Sequence, residues 1–78
     1  MQNGGINIDL QQLRNVQEVA RCGSISRAAK NLYMSQPNLS KSIRELEEEL
    51  GIPLFRRTVH GVEITLSGEQ FLQYARNI

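Results

Sequence analysis

The sequence predicts a mainly α fold, a winged helix-turn-helix with a three-helix core, a two-stranded β wing and a truncated linker (dimerisation) helix behind it. Three observations carry that expectation. Residues 24–51, SISRAAKNLYMSQPNLSKSIRELEEELG, divide into a short helix, a tight turn and a longer helix that starts polar and basic, which is the helix-turn-helix layout. After Ile52-Pro53 the apolar period changes from helical to alternating, as a strand pair requires. From Ser67 onward helical spacing returns. The chain therefore divides into a flexible leader at 1–8, a winged helix-turn-helix at 9–66 and the start of a linker helix at 67–78.

The elements follow in order. Residues 1–8 contain two adjacent glycines and little pattern. Asp9 is placed to cap a first helix, with Gln12 three residues on to complete a capping box. Leu10, Leu13, Val16, Val19 and Ala20 recur at helical spacing, and Gly23 stops the helix. A second helix runs from Ser26, its expected cap, to Leu32, with Ala28, Ala29 and Leu32 on its buried side. The connector Tyr33-Met34-Ser35 leads into a third helix, Gln36 to Leu50, capped by Ser35 and ended by Gly51. Pro37 is tolerated there because the first helical turn has no partner for an N–H. Leu39, Ile43, Leu46 and Leu50 form an apolar stripe at i, i+4, i+7 and i+11, so Pro37, Ser40, Lys41 and Arg44 project away from it at about 100° per residue.

In the wing, Leu54, Phe55 and Val59 surround the pair Arg56-Arg57, and Val62, Ile64 and Leu66 alternate with Glu63 and Thr65. Gly61 supplies the turn. A two-stranded ribbon is marginal alone, so it must lean on the helices. Thr65 or Ser67 caps a fourth helix, the latter with Gln70 in a capping box. Phe71, Leu72, Ala75 and Ile78 give that helix a heptad-like seam that runs to the chain's end without a glycine or proline stop. The expected core is Leu13, Val16, Ala29, Leu32, Leu39, Ile43, Leu46, Leu50 and Leu54.

Composition excludes several classes. Seventy-eight residues make one domain near the lower limit for an unstapled core. One cysteine, Cys22, cannot form an internal disulfide, and with only His60 beside it there is no metal-ligand set; Cys22 reads as a small packing residue. No catalytic pairing of His60, Cys22 or a carboxylate has a usable spacing, so neither an enzyme nor a cofactor is expected. There is no membrane-spanning run and no signal-peptide start, which makes the cytoplasm the expected compartment. Net charge is only +1, but its distribution is uneven. No acid occurs from Val19 to Ile43, where Arg21, Arg27, Lys30 and Lys41 stand, and Arg44 follows. Glu45, Glu47, Glu48 and Glu49 come next. Acids at a helix C-terminus oppose the macrodipole, and the pairs Lys41–Glu45 and Arg44–Glu48 recover only about 0.3–0.5 kcal/mol each. A basic half and an acidic half suit a ligand whose phosphates approach the N-terminal half of the third helix.

Taken together, LQQLRNVQEVARCGSISRAAKNLYMSQPNLSKSIRELEEELGIPLFRRT and the ITLSGEQFLQYAR segment resemble the N-terminal DNA-binding domain of LysR-type transcriptional regulators. The resemblance covers about Ile8 to Ile78, and its most specific pieces are AA-x-x-L-x-x-SQP-x-LS, I-x-x-LE-x-x-LG and PLF-x-R before the T-x-x-G turn. It implies a bacterial regulator that binds double-stranded DNA, at an operator with two-fold-related half-sites. It further implies a homodimer through helix four (Phe71, Leu72, Ala75, Ile78), a tetramer in the full-length protein, and a small-molecule effector bound only by a C-terminal domain absent from this chain. By the family pattern the DNA contacts come from Ser35, Gln36, Pro37, Asn38, Ser40 and Lys41, with Arg56, Arg57 and His60 on the wing. Asn38 stands where many relatives carry a small apolar residue, and Lys41 where many carry arginine, which forks to guanine as lysine does not.

Residue by residue, Gln36 suits adenine, since its amide can pair with N6 and N7. Pro37 either touches a thymine methyl or stiffens the turn. Ser35 caps the helix, with a phosphate contact as a second role. Lys41, Arg44 and Arg56 suit phosphate or guanine, whereas Arg57 is equally suited to an acidic partner inside the domain. His60 at a turn tip serves as surface or as a contact. Tyr33 and Met34 read as turn packing. A winged-helix protein-interaction module keeps this fold but loses the basic face, and a molybdate-responsive regulator keeps the DNA binding with a different sensor; the SQP motif and the acid-free stretch favour the LysR-type reading.

Overall fold

The computed structural model describes residues 9–76; the expected leader at 1–8 and the seam residue Ile78 lie outside the described residues. The order is α1 (Leu10–Cys22), α2 (Ile25–Asn31), α3 (Gln36–Leu50), β1 (Phe55–Thr58), β2 (Gly61–Ile64) and α4 (Leu66–Arg76). The strands form one antiparallel pair in which Phe55 faces Ile64 and Arg56 faces Glu63. Among the described residues no helix is long and apolar enough to cross a membrane.

Local chemistry accounts for most of the boundaries. Asp9 accepts from the Gln12 amide and the Gln12 side chain returns a bond to the Asp9 amide, so the capping box is complete. Gly23 and Gly51, both left-handed, close α1 and α3. The cap of α2 is Ser24, not Ser26: its Oγ accepts from the Arg27 amide at 3.1 Å, so the helix starts at Ile25 and ends at Asn31, with Leu32 as the C-cap. Leu66 is not a strand residue. The Thr65 Oγ1 accepts from the Gly68 amide at 2.9 Å, which starts α4 at Leu66 and leaves that leucine 71% exposed. Thr65 is thus the cap, and Ser67 falls inside the first turn of α4.

The core is made by three helices converging on the wing root. Leu39, Leu46, Leu54, Val16, Val19 and Ala28 are wholly buried, and Ala29 and Ile43 nearly so; each large aliphatic side chain contributes about 1.5–3 kcal/mol over its exposed state. Leu13, Leu32 and Leu50 are half-buried rather than buried, packed on the rim of this cluster. Leu10, at the first turn of α1, is exposed. Phe71 and Leu72, expected on a seam between chains, close this chain's own core instead. Asn15 is buried on the apolar face of α1, where it accepts from Gln11 at 2.9 Å and donates to the Ser42 hydroxyl of α3 at 3.0 Å.

Two close approaches lock the wing in place. At Gly61, φ is +141° and a Cβ would stand 2.2 Å from the Gly23 carbonyl oxygen, which itself accepts from the Val62 amide at 3.1 Å. At Gly68 a Cβ would meet the Leu54 carbonyl oxygen at 2.5 Å. Any side chain at either position would push the ribbon off the helices.

Candidate nucleic-acid interface

Helix α3 presents its N-terminal half to solvent beside the wing. Ser35 caps it, its Oγ accepting from the Asn38 amide at 3.2 Å. Gln36, Pro37 and Asn38 are exposed in the first turn, and Lys41 and Arg44 are exposed on the following turns. Ser40 is half-buried and faces a cleft of about 170 Å³ that it lines with Arg44, Glu47, Phe55, Arg56 and Arg57. The middle of α3 and the basic pair of the wing, far apart in sequence, therefore border one concavity, with Gln36, Pro37, Asn38 and Lys41 outside its lining. His60 sits at the exposed wing tip, its amide donating to the Thr58 hydroxyl at 3.2 Å, outside that cleft.

The charges on this face are loosely held. Lys41 lies 3.8 Å from Glu45, and Arg56 lies 3.3 Å from Glu63, with all four side chains more than half exposed. Such pairs are worth about 0–1 kcal/mol, so a phosphate displaces the carboxylate at little cost. It is Arg56, across the strand pair from Glu63, that has the acidic partner anticipated for Arg57. Arg44 and Arg57 make no ion pair among the described residues, and Arg44 does not reach Glu48.

Two features were hidden in the sequence. Glu47, grouped there with the acidic half of the third helix, is half-buried: its Oε2 accepts from the Leu54 amide at 2.8 Å and the Phe55 amide at 3.2 Å. Tyr33, expected to pack in the turn, is 97% exposed with φ of +57°; the side chain that does pack there is Met34, half-buried against the core. A glutamate set between an apolar stripe and a Pro-Leu-Phe segment was the available signal for the first. Nothing local marked the second.

A separate polar cluster closes the corner between α1 and α2. The Glu18 carboxylate accepts from the Arg21 guanidinium, from the Asn31 side-chain amide at 2.8 Å and from the Cys22 thiol at 3.4 Å. The Arg21 bond first, and the Asn31 bond next, hold the Glu18 carboxyl down at about 2, against an ordinary 4.5. Arg21 is correspondingly held protonated. This cluster takes Arg21 out of the basic set counted from the sequence.

With this geometry in hand, comparison with known proteins is direct. Residues 10–69 match the bacterial regulatory helix-turn-helix proteins of the lysR family. The chain is 51% identical over 71 residues to the HTH-type transcriptional regulator BudR of Klebsiella aerogenes, covering 91% of this chain and 50% of that one. It spans 24% of several other regulators that it matches. Among solved structures, the DNA-binding domain of CbnR in complex with DNA superposes with a TM-score of 0.83 at 37% identity, over 90% of this chain and 80% of that one. The BenM DNA-binding domain bound to benA site 1 DNA gives 0.82 at 41% identity, over 90% and 79%. Four helices and a two-stranded ribbon in the same arrangement, with the sequence match running through nearly all of them, lead to one conclusion: the chain belongs to the LysR family of bacterial regulatory helix-turn-helix proteins and has the fold of its DNA-binding domain.

Proposed function

We propose that this domain reads double-stranded operator DNA by laying the N-terminal half of α3 in the major groove, with the wing on the adjacent backbone or minor groove. The observation that carries the reading is that the exposed residues Gln36, Pro37, Asn38 and Lys41 of α3 lead into a cleft where Ser40 and Arg44 meet Arg56 and Arg57 of the wing. Gln36 reads a base edge, the cations hold phosphates, and Ser35 serves chiefly as the helix cap. His60 at the wing tip meets the backbone beside it. The DNA-bound CbnR and BenM domains support the mode by likeness.

Because the chain spans half or less of the regulators it matches, the assembled protein is also part of the proposal. It acts in the cytoplasm as a non-enzymatic regulator, carries its small-molecule effector site in a C-terminal domain, and forms dimers, and tetramers at full length, through α4. The surface available for that pairing among the described residues is Leu66, Tyr74 and the half-buried Ala75, rather than the internal Phe71 and Leu72.

Selection of duplexes from a random library by the wild-type chain and by Gln36→Ala tests the reading. The expected wild-type profile holds two half-sites related by a two-fold axis. Gln36→Ala relaxes one or two positions in each, at about 1–3 kcal/mol of discrimination. A wild-type chain that enriches no sequence overturns the proposal, and an unchanged Gln36→Ala profile moves base reading to another side chain.

A further inference from the structure

We propose that Glu47 is a positioning residue for DNA binding, which fixes the wing against the recognition helix so that Arg56 and Arg57 face the same phosphate path as Lys41 and Arg44. The inference rests on the DNA-binding reading above. The chain leaves α3 through Gly51, Ile52 and Pro53 and must turn at once into β1. Leu54, at that corner, is wholly buried, and a buried backbone N–H without an acceptor is costly. Glu47 supplies the acceptor from α3 itself, and the same oxygen also takes the Phe55 amide, the first of β1. On the other side of the corner the Leu54 carbonyl accepts from the Thr65 amide at 2.9 Å. The wing root is therefore pinned on its donor side by the recognition helix and on its acceptor side by the start of α4.

The placement is informative because the charge is in the wrong place for any other purpose. Glu47 lines the same cleft as Arg44, Arg56 and Arg57, where a carboxylate repels phosphate. Electrostatics alone predicts that removing its charge tightens DNA binding, whatever replaces it. Positioning predicts a difference between replacements. Both amides converge on a single oxygen, so the side-chain oxygen of glutamine can accept both without any charge. Alanine supplies no acceptor, and aspartate, one methylene shorter, keeps the charge but withdraws the oxygen.

The test is fluorescence anisotropy of the 78-residue chain on a mixed-sequence duplex across a salt series, with folding of each variant verified by circular dichroism at the same temperature. Glu47→Gln is expected to bind as tightly as wild type or tighter. Glu47→Ala and Glu47→Asp are expected to bind more weakly, with the slope of log K against log salt reduced by about 1–2 as the two wing arginines lose register. Adding Arg57→Ala to Glu47→Ala should then cost little further affinity, while the same arginine change in the Glu47→Gln background should cost its full effect. Equal tightening by glutamine and alanine overturns the proposal, and so does full additivity with Arg57→Ala. Residual dipolar couplings of the free chain give a readout independent of DNA. The amides of β1 and β2 should fit one alignment tensor with α3 in wild type and Glu47→Gln but not in Glu47→Asp, the variant kept for this purpose if alanine does not fold. If wild type itself fails to bind any duplex, the DNA-binding reading falls, and these couplings decide the placement of the wing by themselves.

Discussion

The α1–α2 corner and the face shared by α3 and the wing are built from the same kinds of side chain and use them in opposite ways. At the corner, Arg21, Asn31 and the Cys22 thiol all converge on one carboxylate, Glu18. On the α3–wing face, Arg44 and Arg57 make no ion pair among the described residues, and Lys41 and Arg56 hold only exposed, displaceable ones. One region commits its charged groups to the fold and the other leaves its cations exposed. The net charge of +1 conceals this entirely. Even the acid-free stretch from Val19 to Ile43 overstates the basic face, because Arg21 reaches back to Glu18, one residue before that stretch begins.

The largest expected effect separates the two regions by salt dependence. Arg44→Ala and Arg57→Ala should each weaken binding to every sequence and flatten the slope of log K against log salt by about 0.9, the signature of one lost phosphate contact. Arg21→Ala should leave that slope unchanged and lower the thermal midpoint instead. Anisotropy titrations over a range of salt, paired with melts, measure both. If Arg21→Ala flattens the slope as much as Arg57→Ala, the corner belongs to the binding surface and the contrast fails.

A smaller effect comes from acid. Glu18 is held at about 2 against its ordinary 4.5, so as pH falls the unfolded chain takes up this proton first. The contribution of the corner is complete above about 4.5 and is lost as pH drops through about 2. Glu18→Gln should therefore lower the melting midpoint at neutral pH and make it less steeply dependent on pH in that acid window. Melts of both chains from neutral pH downward check this, and parallel acid profiles would show that the cluster is too solvated to matter.

The same contrast marks what could be read from the sequence. Caps and stripes acting within a few residues were legible: the Asp9–Gln12 box, the Ser35 cap, the Gly23 and Gly51 stops and the row from Leu39 to Leu46. So was the exposed polar start of α3, because helical geometry alone sends Pro37, Lys41 and Arg44 away from the apolar stripe. Errors arose where two local signals competed. Ser24 and Ser26 both suit a cap, and the strand alternation continues by chance through Leu66 although Thr65 has already started a helix. Long-range partners were not legible at all. Asn15 meets Ser42 across 27 residues of chain, and Glu47 meets a backbone corner whose position depends on the whole wing. Phe71 and Leu72 were misplaced for the same reason, since an apolar seam does not say whether its own domain or a second copy covers it.

The smallest effect, and the only stabilising one, falls on the turn that joins the two regions. Tyr33 holds φ of +57°, in the left-handed region that a bulky L side chain adopts at a cost of about 1–2 kcal/mol. Its ring is 97% exposed, so packing does not repay that cost. Asparagine tolerates this conformation because its short side chain bonds locally. It also avoids the unfolded-state entropy that glycine would add. Tyr33→Asn should therefore raise stability by up to about 1 kcal/mol, measurable by urea titration. Binding measured on the same variant then assigns the turn. An unchanged affinity places Tyr33 with the corner, as backbone strain and nothing more. A lower affinity in a more stable protein places it with α3 and the wing, as strain retained for contact with DNA.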